Sequence, residues 1–300
     1  MTPPAILLES RRMLTDYHLH LRPDEADAAP AEYFTSANVE RYREAASERG
    51  IEELGVSEHI YRFRQALDVW RHPFWERYAH DDLDDYCTFV REQTDLRLGI
   101  EADFVPGAED RVAALLESHD LDYVVGSVHF IREGAVDMDD FTVWDPKDPR
   151  RSAEAVWKRY FETVAASATS GLFDIIAHPD LVKVWGSTHP ERTPGRDPRF
   201  FYEPAVEAFA DAGVAVELST AGLRKPVAEM YPAPPFLAMC VEAGVPVALS
   251  SDAHRPQDVG AGYEQALDLL AELGVGELAV FERRTRRLEP LGALEDGQGE

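Results

Sequence analysis

Asp16-Tyr17-His18-Leu19-His20 sets two imidazoles two residues apart, behind a short apolar lead-in that ends at Met13-Leu14. On a β-strand alternate side chains share a face, so His18 and His20 point the same way at the strand's end. Two such imidazoles are half of a divalent-metal site. Taken alone, a His-x-His pair is more often a surface accident. Other apolar runs end in residues of the same kind: Glu58-His59, Glu101, His129, His178-Pro179-Asp180 and Asp252-Ala253-His254. Six of the ten histidines belong to this set; His72, His80, His119 and His189 fall in helices or loops and read as surface residues. Any one of the six is explicable as a hydrogen-bonded core histidine, but six at successive strand ends are hard to explain by packing. His and carboxylate ligands without Cys suit zinc, manganese or iron. They are too many for one tetrahedral ion, so two or three divalent metals are implied.

The elements that must position these residues alternate between strand and helix. Strands are expected near 53–57, 96–100, 123–128, 174–177, 214–218 and 245–249. Helices are expected through Val39 to Ala46, closed by Gly50 as a C-cap, and near 84–93, 108–118, 153–167, 199–212, 235–243 and 262–273. Polar loops fill 21–36 and 132–151, and a short apolar strand near 278–281 precedes an acidic, frayed tail. Near-continuous apolar strands such as Val245 to Leu249 suit a parallel sheet buried on both faces. About seven β/α units without a linker or internal repeat favour one closed or nearly closed α/β barrel over an open sheet. The ligand-type residues follow the C-terminal ends of six strands, where barrel enzymes assemble their active sites. The whole chain, 1–300, is read as one domain with an ordered core over about 13–285.

Composition narrows the function. A hydrophobic fraction of 45% supports a sizeable core, and a net charge of −26 argues against phosphate-backbone binding of nucleic acid and against docking on an anionic membrane. A small anionic substrate needs local positive charge, which a metal cluster supplies. Otherwise the acidic balance is a solubilising surface. Cys87 and Cys240 lie far apart in helical segments, so neither a disulfide framework nor a Cys-rich zinc motif is possible. Ala5-Ile6-Leu7-Leu8, interrupted by Glu9, is too short for a signal sequence, and no run reaches transmembrane length; the chain reads as cytoplasmic.

The strings DYHLH, VSEH, GIEAD, GSVHF, AHPDLVKVWG, STAGLRKP and ALSSDAHRPQDVG, in this order from Asp16 to Gly260, resemble the PHP (polymerase and histidinol phosphatase) family. They resemble most closely its monofunctional histidinol-phosphatase branch. The resemblance implies a distorted, TIM-like seven-stranded β/α barrel, a trinuclear metal centre and phosphomonoester hydrolysis. It implies that His18, His20, Glu101 and Asp252 hold a first metal. Glu101 would bridge to a second metal bound by His129 and His178, and His59 and His254 would hold a third. The third site usually takes a His or Asp from the loop after the His-x-His strand. Here that loop reads Leu21-Arg22-Pro23-Asp24-Glu25, so Asp24 is the candidate and Glu25 the reserve.

In such a centre a water bridging two metals loses a proton near neutral pH, and the hydroxide attacks phosphorus in line with the ester oxygen. Asp252 or His254 would protonate the leaving alkoxide, with Asp252 preferred because a metal-bound imidazole is not a free acid. Arg22, Arg132, Arg224, Lys225 and Arg255 follow strand ends; Arg132 and Arg224 are the leading candidates for the substrate phosphate. Loops carrying Trp70, Trp75, Trp144 and Trp185 are candidate lids, and Glu58 and Asp180 candidate acceptors that orient neighbouring ligands. The expected substrate is L-histidinol phosphate, in histidine biosynthesis. Two rivals stand beside it: the same chemistry on a nucleotide or sugar phosphate, and a non-catalytic PHP module that binds a partner.

Overall fold

The computed structural model describes residues 13–25, 28–145 and 147–292, so the apolar Ala5–Leu8 segment and the acidic tail beyond residue 292 lie outside the described residues. Seven parallel strands form one sheet. They are β1 (Thr15–Asp16), β2 (Glu53–His59), β3 (Arg97–Asp103), β4 (Tyr123–Ser127), β7 (Ile175–Ile176), β8 (Ala215–Ser219) and β9 (Val247–Ser250), adjacent in that order. The missing numbers are a small hairpin, β5 (Phe130–Ile131) with β6 (Gly134–Ala135), inside the segment expected to be loop. A parallel bridge between Leu19 and Ala253 brings the two edges of the sheet together, so the barrel is nearly closed. β4, β8 and β9 are buried at every residue, as parallel strands covered on both faces must be.

The helices follow the sequence pattern closely and bind to the strands by identifiable contacts. Asp82 caps the helix Leu83–Gln93 by accepting the N–H of Asp84 at 3.0 Å. That helix buries Leu83, Tyr86, Phe89 and Val90 on one face, and the Tyr86 hydroxyl donates to the carbonyls of Val56 and Gly99. The helix Arg199–Ala212 ends at Gly213, whose φ of 67° is the left-handed C-cap conformation. A four-residue helix, Pro30–Tyr33, occupies part of the polar loop after β1.

The first strand departs from the sequence expectation in an instructive way. Leu14 O accepts from Glu53 N and Leu19 O accepts from Ser57 N, so five residue steps on one strand oppose four on the other. One extra residue is a β-bulge, and a one-residue slip exchanges the faces of a strand. Tyr17 below the bulge and His18 and His20 above it therefore all reach the barrel interior.

At the N-terminal ends of the strands the chain finishes in an antiparallel hairpin, β10 (Glu277–Glu282) with β11 (Thr285–Pro290), which carries ordered structure past the expected boundary near 285. Its Phe281 packs with Tyr17 and Tyr123 at centroid distances of 6.1 and 6.5 Å. Tyr123 lies across Gly55 and Gly99, where a Cβ at either position would collide with its ring. Those glycines are absences of side chain that the tyrosine fills.

Candidate metal centre

Glu101, third from last in β3 and fully buried, is the hub of the C-terminal face. Its Oε2 lies 3.3 Å from His18 Nε2 and 3.6 Å from His20 Nε2, and it contacts His59 Nδ1. Its Oε1 lies 3.2 Å from His178 Nε2 and 3.4 Å from His129 Nε2. Asp252 Oδ1 approaches His18 and His20 Nε2 at 3.6 and 3.4 Å, and His254 Nδ1 at 3.6 Å. The rings of His59 and His254 each stack against His20 at 4.2 Å and lie 5.6 Å from one another. Two site residues sit in strained backbone: Asp252 has φ 49° and His178 φ 23°.

These side chains fall into four groups close enough to hold an ion: His18, His20 and Asp252; His59, Glu101 and His129; His18, Glu101 and His178; and His20, His59 and His254. The first group joins three of the four residues expected at the first site, without Glu101, and the last joins His59 and His254 to His20 where a residue of the following loop was expected. His129 and His178, expected together with Glu101, fall in different groups, but both approach Glu101 Oε1. The donor set fits divalent cations on a physical test. His18 Nε2, both nitrogens of His20, His59 Nδ1, Glu101 Oε2 and Asp252 Oδ1 are buried and lack a hydrogen-bond partner. Orphaned polar atoms converging on one point are costly unless something charged binds between them.

The electrostatics carry the same signature. Burial alone would raise the Glu101 carboxyl, yet His59, His18 and His129 hold it well below the usual range. Burial would likewise lower His18 and His129, but Glu217 drives His18 well up and Asp103 pushes His129 up to about 10. Burial wins at His59, held well below its ordinary value, and at His254, lowered to about 4 by burial and by His20. A surplus of carboxylate that draws protons onto buried imidazoles is one that a divalent cation answers equally well.

The groups behind the ligands are mostly not those expected. Glu217 Oε1 accepts from His18 Nδ1 at 2.6 Å, and its Oε2 accepts the backbone N–H of His178 at 2.6 Å. Asp103 Oδ1 lies 2.8 Å from His129 Nδ1. Glu58 does face His20 Nδ1, at 3.7 Å, while holding the backbone N–H groups of Leu21 and Arg22. Burial would raise Glu58, but the Arg62 guanidinium and His20 hold its carboxyl down at about 2. Asp180 orients no ligand: its carboxylate accepts the N–H of Ala233 at 2.8 Å and pairs with Lys183. Glu217 and Asp103 had sequence signals. One is a lone carboxylate inside an apolar strand, and the other sits two residues past Glu101 on the same strand face.

A cavity of about 210 Å³ opens over the cluster, lined by His59, His129, His178, Asp252 and His254, by Tyr61, Phe74, Tyr78, Phe130 and Tyr231, and by Asp24, Asp137 and Lys225, among others. Asp24 stands at its rim with a largely exposed side chain; its Oδ1 lies 3.2 Å from His254 Nε2 and 3.0 Å from Arg62 Nη2. Glu25 is exposed. The arginine expectations need correction. Arg132 lines a different cavity, because the β5–β6 turn carries it away from the ligands. Arg224 Nη2 is spent on the carbonyls of Ser251, at 2.6 Å, and Asp252, at 3.3 Å. Arg22 is fully buried in an ion pair with Asp81 at 2.8 Å. No tryptophan lines the cavity. Trp75 and Trp144 are core, and the indole N–H groups of Trp144 and Trp185 both donate to Val136 O. His72, expected at the surface, is buried between Trp70 and Phe130 because the intervening aromatic loops cover it.

Comparison with known proteins places this geometry. The PHP domain family matches residues 32–221. The chain is 33% identical over 284 residues to the "Probable histidinol-phosphatase" of Deinococcus radiodurans, covering 92% of this chain and 99% of that protein. It is 26% identical over 248 residues to the "Histidinol-phosphatase" of Bacillus subtilis, covering 77% and 92% of the two. Among solved structures, histidinol phosphate phosphatase from Lactococcus lactis, complexed with zinc, L-histidinol and phosphate, superposes with a TM-score of 0.66 at 17% identity. That match spans 92% of this chain and all of the other, and shows the shared barrel fold. The chain belongs to the PHP domain family.

Proposed function

We propose that this protein is a metal-dependent phosphomonoester hydrolase acting on L-histidinol phosphate in the cytoplasm. The observation that carries the chemistry is the convergence of six imidazoles with Glu101 and Asp252, with inward atoms of His18, His20, His59, Glu101 and Asp252 buried and unpartnered. The relatives named histidinol-phosphatase, matched over nearly their whole length, support the choice of substrate.

The ions, two or three of zinc, manganese or iron, would be held by the four groups described above. When bound they supply Lewis-acid charge for the phosphoryl oxygens and lower the pKa of water toward neutrality. The protein's own residues do the rest. Glu217 and Asp103 fix the ring orientation of His18 and His129 by accepting at Nδ1, which leaves each Nε2 aimed inward. Arg224 clamps the 251–252 backbone and so holds Asp252 in its strained conformation. Asp252 and half-buried His254 both line the cavity and would relay a proton from water to the leaving alkoxide, Asp252 being preferred. Lys225, the one Lys or Arg among the described residues lining the cavity, takes the phosphate contact expected of an arginine.

Phosphate release from a panel of phosphomonoesters, with and without EDTA, tests this reading. Fast, EDTA-sensitive turnover of histidinol phosphate is expected. Weak turnover beside rapid hydrolysis of a nucleotide or sugar phosphate would replace the substrate and keep the chemistry. Fewer than about two metal equivalents per chain, with no phosphatase activity, would favour a non-catalytic module.

A further inference from the structure

Among the groups that line the cavity outside the four ligand groups, a carboxylate and a hydroxyl are buried without a hydrogen-bond partner. Asp137 lines the cavity, belongs to none of the four ligand groups, and its Oδ1 is buried with no hydrogen-bond partner. Tyr231, which reaches the same cavity from after β8, has a buried hydroxyl that is also without a partner. The two act on each other electrostatically: the Asp137 charge is among the influences that push the Tyr231 hydroxyl up, after burial and Asp180. The rings of Tyr61, Phe74, Tyr78 and Phe130 line the same cavity. An unpaired carboxylate oxygen in such a wall is costly until a cation or donor reaches it.

We infer that Asp137, with the Tyr231 hydroxyl, forms the subsite for a cationic amine of the substrate and selects phosphoesters that carry one. This inference rests on the proposed function, since histidinol phosphate bears a primary ammonium on the carbon next to its phosphorylated CH₂. The ammonium is the better partner than the imidazole: it is fully charged at neutral pH, whereas an unperturbed imidazole is mostly neutral there. Its three N–H donors match two acceptors from separate elements. The aromatic rings of the lining accommodate the imidazole ring.

The test uses the metal-loaded enzyme and three esters: histidinol phosphate, its analogue lacking the amine, and p-nitrophenyl phosphate. For Asp137→Asn, KM for histidinol phosphate should rise about 10- to 100-fold, in line with losing a hydrogen bond to a charged group. Its kinetics on the two amine-free esters should stay within about twofold of wild type. Tyr231→Phe should move KM in the same direction by a smaller factor. An equal loss on all three esters, or no loss on histidinol phosphate, overturns the assignment. Equal turnover of histidinol phosphate and its amine-free analogue by the wild-type enzyme also overturns the assignment, whereas weak turnover of both beside rapid hydrolysis of another phosphoester overturns the substrate reading itself. That outcome is distinct from a variant that merely fails to discriminate.

Discussion

Two layers of the barrel interior, built from the same strands, are chemically opposite. On β3, Gly99 lies under the Tyr123 ring, and Glu101, two residues further along, gathers five imidazoles. On β8, Ala215 belongs to the lower apolar cluster and Glu217 holds His18. The lower layer is aromatic rings fitted against small residues, closed from beneath by Phe281. The upper layer is imidazoles and carboxylates, and inward atoms of His18, His20, His59, Glu101 and Asp252 lack partners. The strand period of two delivers both, so one scaffold separates the work of stability from that of chemistry by about two residues of rise. The lower layer gains from packing to native density, whereas the upper layer is left costly in the absence of a cation.

The contrast can be broken deliberately. Glu101→Gln removes the carboxylate common to the cluster and should lower phosphatase activity by about 10³-fold or more, the equivalent of several kcal/mol of metal-supplied stabilisation. Its apo-protein melting temperature should not fall; a large drop would mean that the upper layer also carries stability. Tyr123→Ala should do the reverse, costing ~3–5 kcal/mol in urea unfolding, as for other large-to-small core truncations, while the folded fraction still binds its metals. Loss of metal by natively folded Tyr123→Ala would show the two layers to be coupled.

Smaller changes sharpen the boundary. Glu217→Gln keeps the shape but weakens the hold on His18, and should reduce metal affinity about 10- to 100-fold in competition with a chelator. Gly99→Ala pushes a methyl into the Tyr123 ring and should cost about 1–3 kcal/mol, read as a shifted denaturation midpoint with an unchanged slope. At the bottom of the scale, His189→Ala removes a half-buried histidine that pairs with Glu191 and packs edge-on against Trp185, and should change stability by less than about 1 kcal/mol, with activity intact.

Which histidines matter was legible because ligand chemistry recurs at strand ends, and strand ends show up as the last residue of an apolar run. All six of them converge in the folded barrel. What was not legible was every feature that depends on distance across the fold. Arg224 and Arg132 follow strand ends in the chain as plausibly as Lys225 does, yet only Lys225 lines the cavity. His72 looks like a surface residue until Trp70 and Phe130 close around it. Glu58 and Asp180 each adjoin a ligand in sequence, but hydrogen bonds reach across strands, and Glu217 lies 199 residues from His18.

By itself the sequence determined the α/β alternation, most of the helices and the inventory of candidate metal ligands, because hydrophobic periodicity and residue type are local properties. Tertiary structure alone decided how those ligands are shared among groups, which carboxylates stand behind them, and which side chains face the substrate cavity. The bulge before His18 shows why. A hydrogen-bond register between β1 and β2 turns both histidines inward with Tyr17, and register is a relation between strands that neither strand contains.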